Sequence, residues 1–408
     1  MSNVVEFPQI IERGCGLDVH KESVVATIKG SGISEETRTF GTFTCDLMAL
    51  KSWLQENRIS HLAMESTGVY WKPVYNILSQ HLRILVVNAR HIKNVPGHKT
   101  DRKDSAWIAK LLLSGLLKGS FIPEQPIREL RELYRYKRKL IGQRVAERNR
   151  LQKILEDANI KLSSVISDVF GVTGTAIIEA LIAGHTDAHY LADLAKGSLK
   201  KKKALLELAL QGQLTPHHVF MLKLHRHALS NIESLIADVD AQIATGLTAY
   251  QQQLELLTTI PGVATQTAAG IIAEIGVDMT AFPSEKHLAS WAGVCPGNNE
   301  SAGKKKSERI THGNKTLKTA LVEAAWAASH TKDSFLRRKY NNLVSRRGKK
   351  KALIAVGHKI LCAAYFILKN MEEYCEPNDT ALIEKRKQAQ IQRYFKRLHE
   401  LGVNPRLN

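Results

Sequence analysis

The N-terminal third of the chain alternates short apolar runs with stretches of helical spacing. Residues 13–29, RGCGLDVHKESVVATIK, read as strand, turn and strand, with Gly14 and Gly16 at the entry and a β-rich run from Ser23 to Ile28. A third strand is expected over Glu36 to Thr44. A helix then runs from about Asp46 to Glu56, with Leu47, Leu50, Trp53 and Leu54 on one face. HLAMEST is a short apolar run ending in Glu65, with Gly68 at the turn that follows. A helix from Tyr70 to Gln80 leads to ILVVN, a wholly apolar run of the kind found in parallel strands buried on both faces. The loop Ala89 to Thr100 delivers the chain into HKTDRKDSAWIAKLLL, His98 to Leu113. Here a basic loop runs into a helix that Trp107, Ile108, Leu111 and Leu112 would pack down.

From Ile122 the pattern is almost entirely helical. PEQPIRELRELYRYKRKLIGQRVAERNRLQKILEDANI carries an incomplete apolar stripe, Leu133, Leu140 and Leu151, and many basic residues. It fits a coiled-coil arm and an ordinary amphipathic helix with a solvated basic face equally well. Residues 165–255 stay mostly helical, with breaks near Gly171–Gly174 and Gly184–His185, then KGSLKKKKALLE and a helix from Val219 to Thr245. No catalytic pattern is visible there, and His217 and His218 read as helix-start residues. Residues 257–276 give helix, tight turn and helix. A loop rich in Gly, Asn, Ser and Lys spans Cys295 to Gly313, and a helix of small residues follows from Leu317 to Ser329. The expected fold class is α/β plus α. It has an α/β domain over 10–122, a helical linker with a possible coiled coil over 123–255, a mainly α domain over 256–372 and a polar tail over 373–408.

Composition narrows the class. A length of 408 residues calls for two or three domains, and 44% hydrophobic content supports buried cores and excludes a disordered chain. Lys plus Arg number 58 against 39 Asp plus Glu, a net charge of +19 that points to a polyanionic partner, nucleic acid first. Location sharpens this: residues 301–351 hold fifteen Lys and Arg against three Asp and Glu. The five cysteines, at 15, 45, 295, 362 and 375, are odd in number and scattered. They argue against a disulfide framework and against a structural zinc site. No apolar run reaches membrane-spanning length, and MSNVVEFPQI lacks a signal-like pattern, so an intracellular, reducing location without a membrane partner is expected.

The order of three strands, helix, strand, helix, strand, helix is that of an RNase H-like fold. Asp18 then lies within the first strand, Glu65 at the end of the fourth, and Asp101 and Asp104 on the helix after the fifth. Open sheets of this kind gather their sites at the carboxyl ends of strands. Taken alone, Asp101 and Asp104, three apart on one helix face, are caps favoured by the helix dipole. Four carboxylates in this order point instead to a cluster made tolerable by a divalent cation. Mg²⁺, or Mn²⁺, takes carboxylate oxygens and keeps water and phosphate as its other ligands, and two such ions can clamp both oxygens of a phosphodiester displacement.

Two further stretches suit nucleic acid. Residues 257–276, LLTTIPGVATQTAAGIIAEIG in context, resemble a helix-hairpin-helix element whose Pro261–Gly262 turn aims free N–H groups at a DNA phosphate. Ala264 stands where such elements usually have a second glycine, and a plain helical hairpin in a core has the same pattern. In the loop beyond Cys295, Ser301 precedes Ala302-Gly303 and the basic residues Lys304, Lys305, Lys306 and Arg309, with Lys315 opening the next helix. A serine there can reach a phosphorus atom while these cations bind the nucleic acid and stabilise the developing charge. Ser307 competes on the same grounds, and either serine can be a turn residue only. A second cluster, Arg337 to Lys339 through Lys349 to Lys351, can track a nucleic-acid backbone.

Taken together, GLDVHKE, AMESTGVYW, HKTDRKDSAWIA and GVCPGNNESAGKKKSERITHGNKTLKTALVEAA resemble, in order and spacing, the DEDD transposases of the insertion-sequence-110 type. The likeness covers most of residues 12–370. It implies an N-terminal domain similar to the junction resolvase RuvC, a helical linker with a coiled coil, and a C-terminal transposase domain. By the same resemblance Asp18, Glu65, Asp101 and Asp104 are the metal-binding tetrad and Ser301 is the nucleophile. Here the serine is followed by Ala302-Gly303, one residue wider than the family's Ser-Gly. The resemblance further implies DNA cutting and rejoining through a serine-phosphate intermediate, a structured bridge RNA as guide, dimers pairing into tetramers, and a prokaryotic cytoplasm. Two rival readings use the same residues: a metal-dependent, structure-specific endonuclease without a covalent intermediate, and a non-catalytic nucleic-acid-binding protein whose acids are structural.

Overall fold

The computed structural model describes residues 10–66, 68–88, 101–296, 299–301, 304–307, 310–377, 388, 391–395 and 397–400, and for 101–103, 299–301 and 304–307 the backbone alone. It divides into two compact units, Met1–Ile122 and Pro123–Asn408. The first is built on five strands, β1 (Arg13–Val19), β2 (Ser23–Gly30), β3 (Ile33–Gly41), β4 (His61–Glu65) and β5 (Arg83–Val87), in the spatial order β3-β2-β1-β4-β5. Short turns join β1, β2 and β3, which pair antiparallel. The pairs β1–β4 and β4–β5 are parallel. They are reached through α1 (Thr44–Glu56) and α2 (Trp71–Leu78), the longer crossovers that parallel pairing requires. Strand β3 starts and ends three residues earlier than its sequence pattern suggests, because Gly30 and Gly32 close a tighter turn.

Alternation along the strands sorts their side chains between two faces. Cys15, Leu17, Val19, Val24, Ala26, Ile28, Leu62 and Met64 pack against Leu47, Leu50 and Leu54 of α1 and Val74 and Leu78 of α2. The opposite face is covered by α3 (Asp101–Leu113), whose Ile108 and Leu112 pack on Ala63. This helix lies unusually close to β1. A Cβ at Gly16 would overlap the Ser105 carbonyl and the Ala109 amide, while Gly14 faces Leu112 and Leu113. The helix therefore runs antiparallel to β1, with its first turn toward the end of the strand where Asp18 sits. A hydroxyl chain that starts buried and ends at the surface fixes the seating: Ser105 Oγ lies 2.7 Å from Thr27 Oγ1, which lies 2.8 Å from the exposed Thr37 Oγ1.

In the second unit, α4 (Gln125–Asp157) pairs antiparallel with α5 (Pro216–Leu247). The pairing is written in side chains along its length. His218 meets Asp157 at 3.0 Å, His225 meets Glu147 at 2.7 Å, and Lys137 meets Asp240. Thus α4 is neither an isolated helix nor a freely solvated basic face. Residues 158–214, between the two far ends, form a cap of short helices. Its core of Ile177, Ile178, Leu181, Leu191 and Leu206 closes on Leu151, Leu155, Leu222 and Leu229. His218 sits in a capping box with Thr215 at the start of α5, the helix-start role its sequence position suggests.

The unit continues with α6 (Gln251–Thr258), α7 (Thr265–Ile275), α8 (Glu285–Ala292), β6 (Asn299–Ser301), β7 (Lys304–Ser307), α9 (Lys315–Ala328), α10 (Phe335–Arg347) and α11 (Lys349–Asn370). Two expectations are corrected here. The segment Cys295 to Gly313 is not simply a loop, because β6 and β7 pair as an antiparallel hairpin within it. Helix α11 is long and apolar enough to cross a membrane, although no run of that length stood out in the sequence. Its Ala352, Val356, Ile360, Leu361, Ala364 and Leu368 are buried, and it packs against α6, α8, α9 and α10, so its apolar character is that of a core helix.

Replacing Gly16 with Ala forces α3 off the sheet or strains the strand. Gly16→Ala is expected to lower unfolding stability by about 2–3 kcal/mol, at the upper end of overpacking effects. A urea-denaturation midpoint equal to that of the parent protein would refute the close seating of α3.

Candidate functional site

The register of β1 with β4 pairs Gly16 with Ala63 and Leu17 with Met64, so Asp18 and Glu65 come next on neighbouring parallel strands. Leu17 and Met64 belong to the core on one face, which leaves Asp18 and Glu65 on the other, the face that α3 covers. The sheet thus brings two of the four predicted acids together at the carboxyl ends of adjacent strands. Asp104 is half-buried in the first turn of α3, beside the buried Ser105 that anchors the helix. Asp101 opens that helix, and its side chain lies outside the described residues. Among the described residues no three Asp, Glu, His or Cys side chains close into a metal-binding group. The donor set is nonetheless all carboxylate, which suits a hard divalent cation. Sequence reasoning overlooked a neighbour of this cluster: His20 Nε2 lies 3.1 Å from Asp18 Oδ2. It sits in the β1–β2 turn, where its backbone N–H donates to the Ser23 carbonyl.

Ser301 is the last residue of β6 and pairs with Lys304, the first of β7, so the serine and three consecutive lysines share one small hairpin. Ser307 ends β7 opposite Asn299, at the other end of that hairpin. Arg309 lies outside the described residues, and Lys315 is exposed at the start of α9. The root of the hairpin is tightly held. Pro296 bridges to Ile310, and the backbones of Gly293 and Gly313 cross so closely that neither has room for a Cβ. Next to Gly313, the Asn314 side chain accepts from Leu317 N–H as the N-cap of α9 and donates to Glu274 Oε2.

Glu274 is the acid that sequence reasoning missed. It sits fully buried on α7, inside the otherwise apolar run AGIIAEIG, and an acid in such a run was the available signal. Arg135 of α4 binds it bidentately, Nε to Oε1 at 2.7 Å and a terminal nitrogen to Oε2 at 2.8 Å. Arg131 donates to the backbone carbonyls of Ala273 and Glu274 and lies 3.6 Å from the carboxylate. Burial pulls the Arg131 guanidinium down to about 10, with Glu274 opposing that shift. Beside this network Arg138 binds Glu323 of α9 bidentately, at 2.8 and 2.9 Å. On the same helix burial lowers Lys318 below the ordinary lysine range, and its ammonium points toward the Thr311 carbonyl. The base of α4 is therefore fastened by charge to the helix that carries the serine hairpin's root.

The predicted turn at Pro261 and Gly262 joins α6 to α7, and Gly262 adopts a φ of +85°. A Cβ there would overlap the backbone of α9 at Ala324 and Ala328, so helix packing by itself demands this glycine. Ala264, Thr265 and Gln266, at the start of α7, are exposed.

Two family models match the chain. One, a transposase of the DEDD IS110 kind, covers residues 15–160. The other, described as "Transposase IS116/IS110/IS902 family", covers residues 254–341. A pilin gene-inverting protein of Moraxella bovis is 24% identical over 371 residues, 87% of this chain and 95% of its own. Its namesake in Moraxella lacunata is 23% identical over the same shares. An uncharacterized protein of insertion element IS110 in Streptomyces coelicolor is 31% identical over 135 residues, 32% of each chain. The class these matches define is a DNA transposase or recombinase, an enzyme whose substrate is DNA. The chain belongs to the IS110 family of transposases.

Removing the buried Glu274 leaves the largely buried Arg131 guanidinium uncompensated. Glu274→Ala is expected to destabilise the protein by about 3–5 kcal/mol, and Glu274→Gln by less, because the amide still accepts from Asn314. Guanidinium denaturation reads this directly. A loss under about 1 kcal/mol for Glu274→Ala would deny the hub its structural role.

Proposed function

We propose that this transposase cuts and rejoins DNA strands through a covalent serine-phosphate intermediate at Ser301, on a chain whose N-terminal unit is RNase H-like and RuvC-like. The observation that carries the reading is the placement of Asp18 and Glu65 side by side at the carboxyl ends of β1 and β4, under a helix that begins at Asp101. The strand order β3-β2-β1-β4-β5, with β2 antiparallel to both neighbours, supports the RNase H-like reading.

Asp18, Glu65, Asp101 and Asp104 are the residues that would hold Mg²⁺ or Mn²⁺. Such an ion, when bound, supplies Lewis-acid stabilisation of phosphoryl oxygens. Ser301 Oγ attacks phosphorus, an Oγ–P bond forms, the P–O bond to one strand breaks, and the freed hydroxyl leaves with a proton. Attack by a second strand's hydroxyl reverses these events on a new partner and returns the serine. The phosphodiester energy stays in the intermediate, so rejoining needs no ATP. Lys304, Lys305, Lys306, Arg309 and Lys315 neutralise phosphate charge around the serine. The Pro261–Gly262 turn and the exposed start of α7 add backbone contacts to the DNA. The names of the pilin gene-inverting relatives support rejoining as well as cutting, because inverting a segment requires every cut end to be resealed. A structured guide RNA and a homo-oligomer complete the proposal, in keeping with the net charge of +19.

The test is to trap protein on nicked DNA carrying the element's ends, with denaturing gels reading covalent adducts. Ser301→Ala abolishes the adduct and Ser307→Ala retains it. Asp104→Asn, or removal of divalent cation with EDTA, lowers strand cutting by about 10³-fold or more while DNA binding persists. Strand cutting that survives Ser301→Ala would instead favour a metal-dependent junction endonuclease.

A further inference from the structure

The cap over residues 158–214, at the far end of the α4–α5 pair, carries a run of lysines that neither the fold nor the site uses. Lys196 precedes a 3₁₀ segment, Gly197–Lys202, that contains Lys200, Lys201 and Lys202 and buries none of its residues. Lys196, Lys200, Lys201 and Lys202 are all exposed. Among the described residues, the side chains of Lys200, Lys201 and Lys202 have no ion pair or hydrogen bond. Their neighbours differ. Lys203 is held by Asp193, Lys161 by Glu156, Arg148 by Glu233 and Arg226 by Glu179. The run is also fixed in place, because Lys196 N–H donates to Thr173 Oγ1 at 3.0 Å and Leu199 packs on the cap's core.

Adjacent like charges repel, so an ordered lysine run with no acidic partner lowers the stability of the fold that carries it. That repulsion is offset when a polyanion binds. Lysine ammoniums act as point charges, without the planar fork that reads carboxylates or base edges, so they suit phosphates contacted without regard to sequence. We propose that Lys196, Lys200, Lys201 and Lys202 form a second, sequence-independent contact for the phosphodiester backbone of duplex nucleic acid, DNA or folded RNA, one arm's length from the serine hairpin. The 33 residues of α4 rise about 50 Å, which matches roughly 15 base pairs of straight duplex. The proposal rests on the chain's binding of nucleic acid and not on the chemistry of Ser301 or of the acids.

The experiment titrates the full chain, without divalent cation, against a 40-base-pair DNA duplex and an RNA hairpin of about equal phosphate number over a series of salt concentrations. The variant is Lys200→Ala/Lys201→Ala/Lys202→Ala. The plot of log K against log salt is expected to flatten by about two to three, close to one per lost phosphate contact, with a Tm no lower than that of the parent chain. Flattening on the DNA probe alone assigns the site to DNA, and on the RNA probe alone to RNA. An unchanged slope on both, with the parent chain binding both, overturns the proposal and leaves the nucleic-acid reading intact. A parent chain that binds neither overturns that reading itself. An equal loss of polyglutamate binding would mark a generic anion patch and also overturn the proposal.

Discussion

A carboxylate taken out of water has to recover its lost hydration from cations and hydrogen-bond donors, or it will not stay charged and buried. Glu274 recovers it from three directions: the Arg135 fork, the nearby Arg131 guanidinium and the Asn314 amide. Those donors belong to different parts of the second unit. The arginines are on the long arm, and Asn314 caps the helix that follows the serine hairpin. One buried charge therefore ties the arm's angle to the hairpin's root. An apolar residue at 274 could fill the same space, but it would not oblige these particular groups to meet. The directionality of the bidentate pair is what makes the geometry specific.

The first unit solves a different problem, that of gathering acids that repel. Its means are steric. Gly16 lets α3 lie almost on the strand, and the Ser105–Thr27–Thr37 hydroxyl chain sets where along the sheet the helix stops. With α3 antiparallel to β1, its acidic first turn is carried toward the strand end where Asp18 and Glu65 lie. Parallel pairing of β1 and β4 places those two acids at the same level. None of these devices is an acid, yet together they determine which acids can approach one another.

The described basic residues of the second unit include two populations. Arg131, Arg135, Lys137 and Arg138 are engaged by Glu274, Asp240 and Glu323, and their charge stabilises the fold. Lys200, Lys201 and Lys202 have no such engagement among the described residues. A net charge of +19 counts both populations alike, although the first is already neutralised by acids of the fold. Part of the basic face of α4, conspicuous in the sequence, is an internal fastening through Arg131, Arg135, Lys137, Arg138 and Arg148.

Much of the first unit was legible from periodicity alone, because strand alternation and helical spacing report burial locally. The positions of Asp18 in β1, Glu65 at the end of β4 and Asp101 at the start of α3 follow from element order. Four short blocks, kept in order, were enough to indicate the family. Contacts between residues far apart in sequence were not legible. Glu274 and Arg135 are separated by 139 positions, and only the packing of α4 against α7 makes an ion pair of them. Gly262 reads in sequence as a turn residue suited to phosphate, and the structure explains it by the backbone of α9. The sequence by itself determined most of the elements of the first unit, the enzyme class and the family, because these are carried by local pattern and residue type. The tertiary structure decided which charges are consumed internally and which remain exposed, because pairing depends on distances that only folding creates.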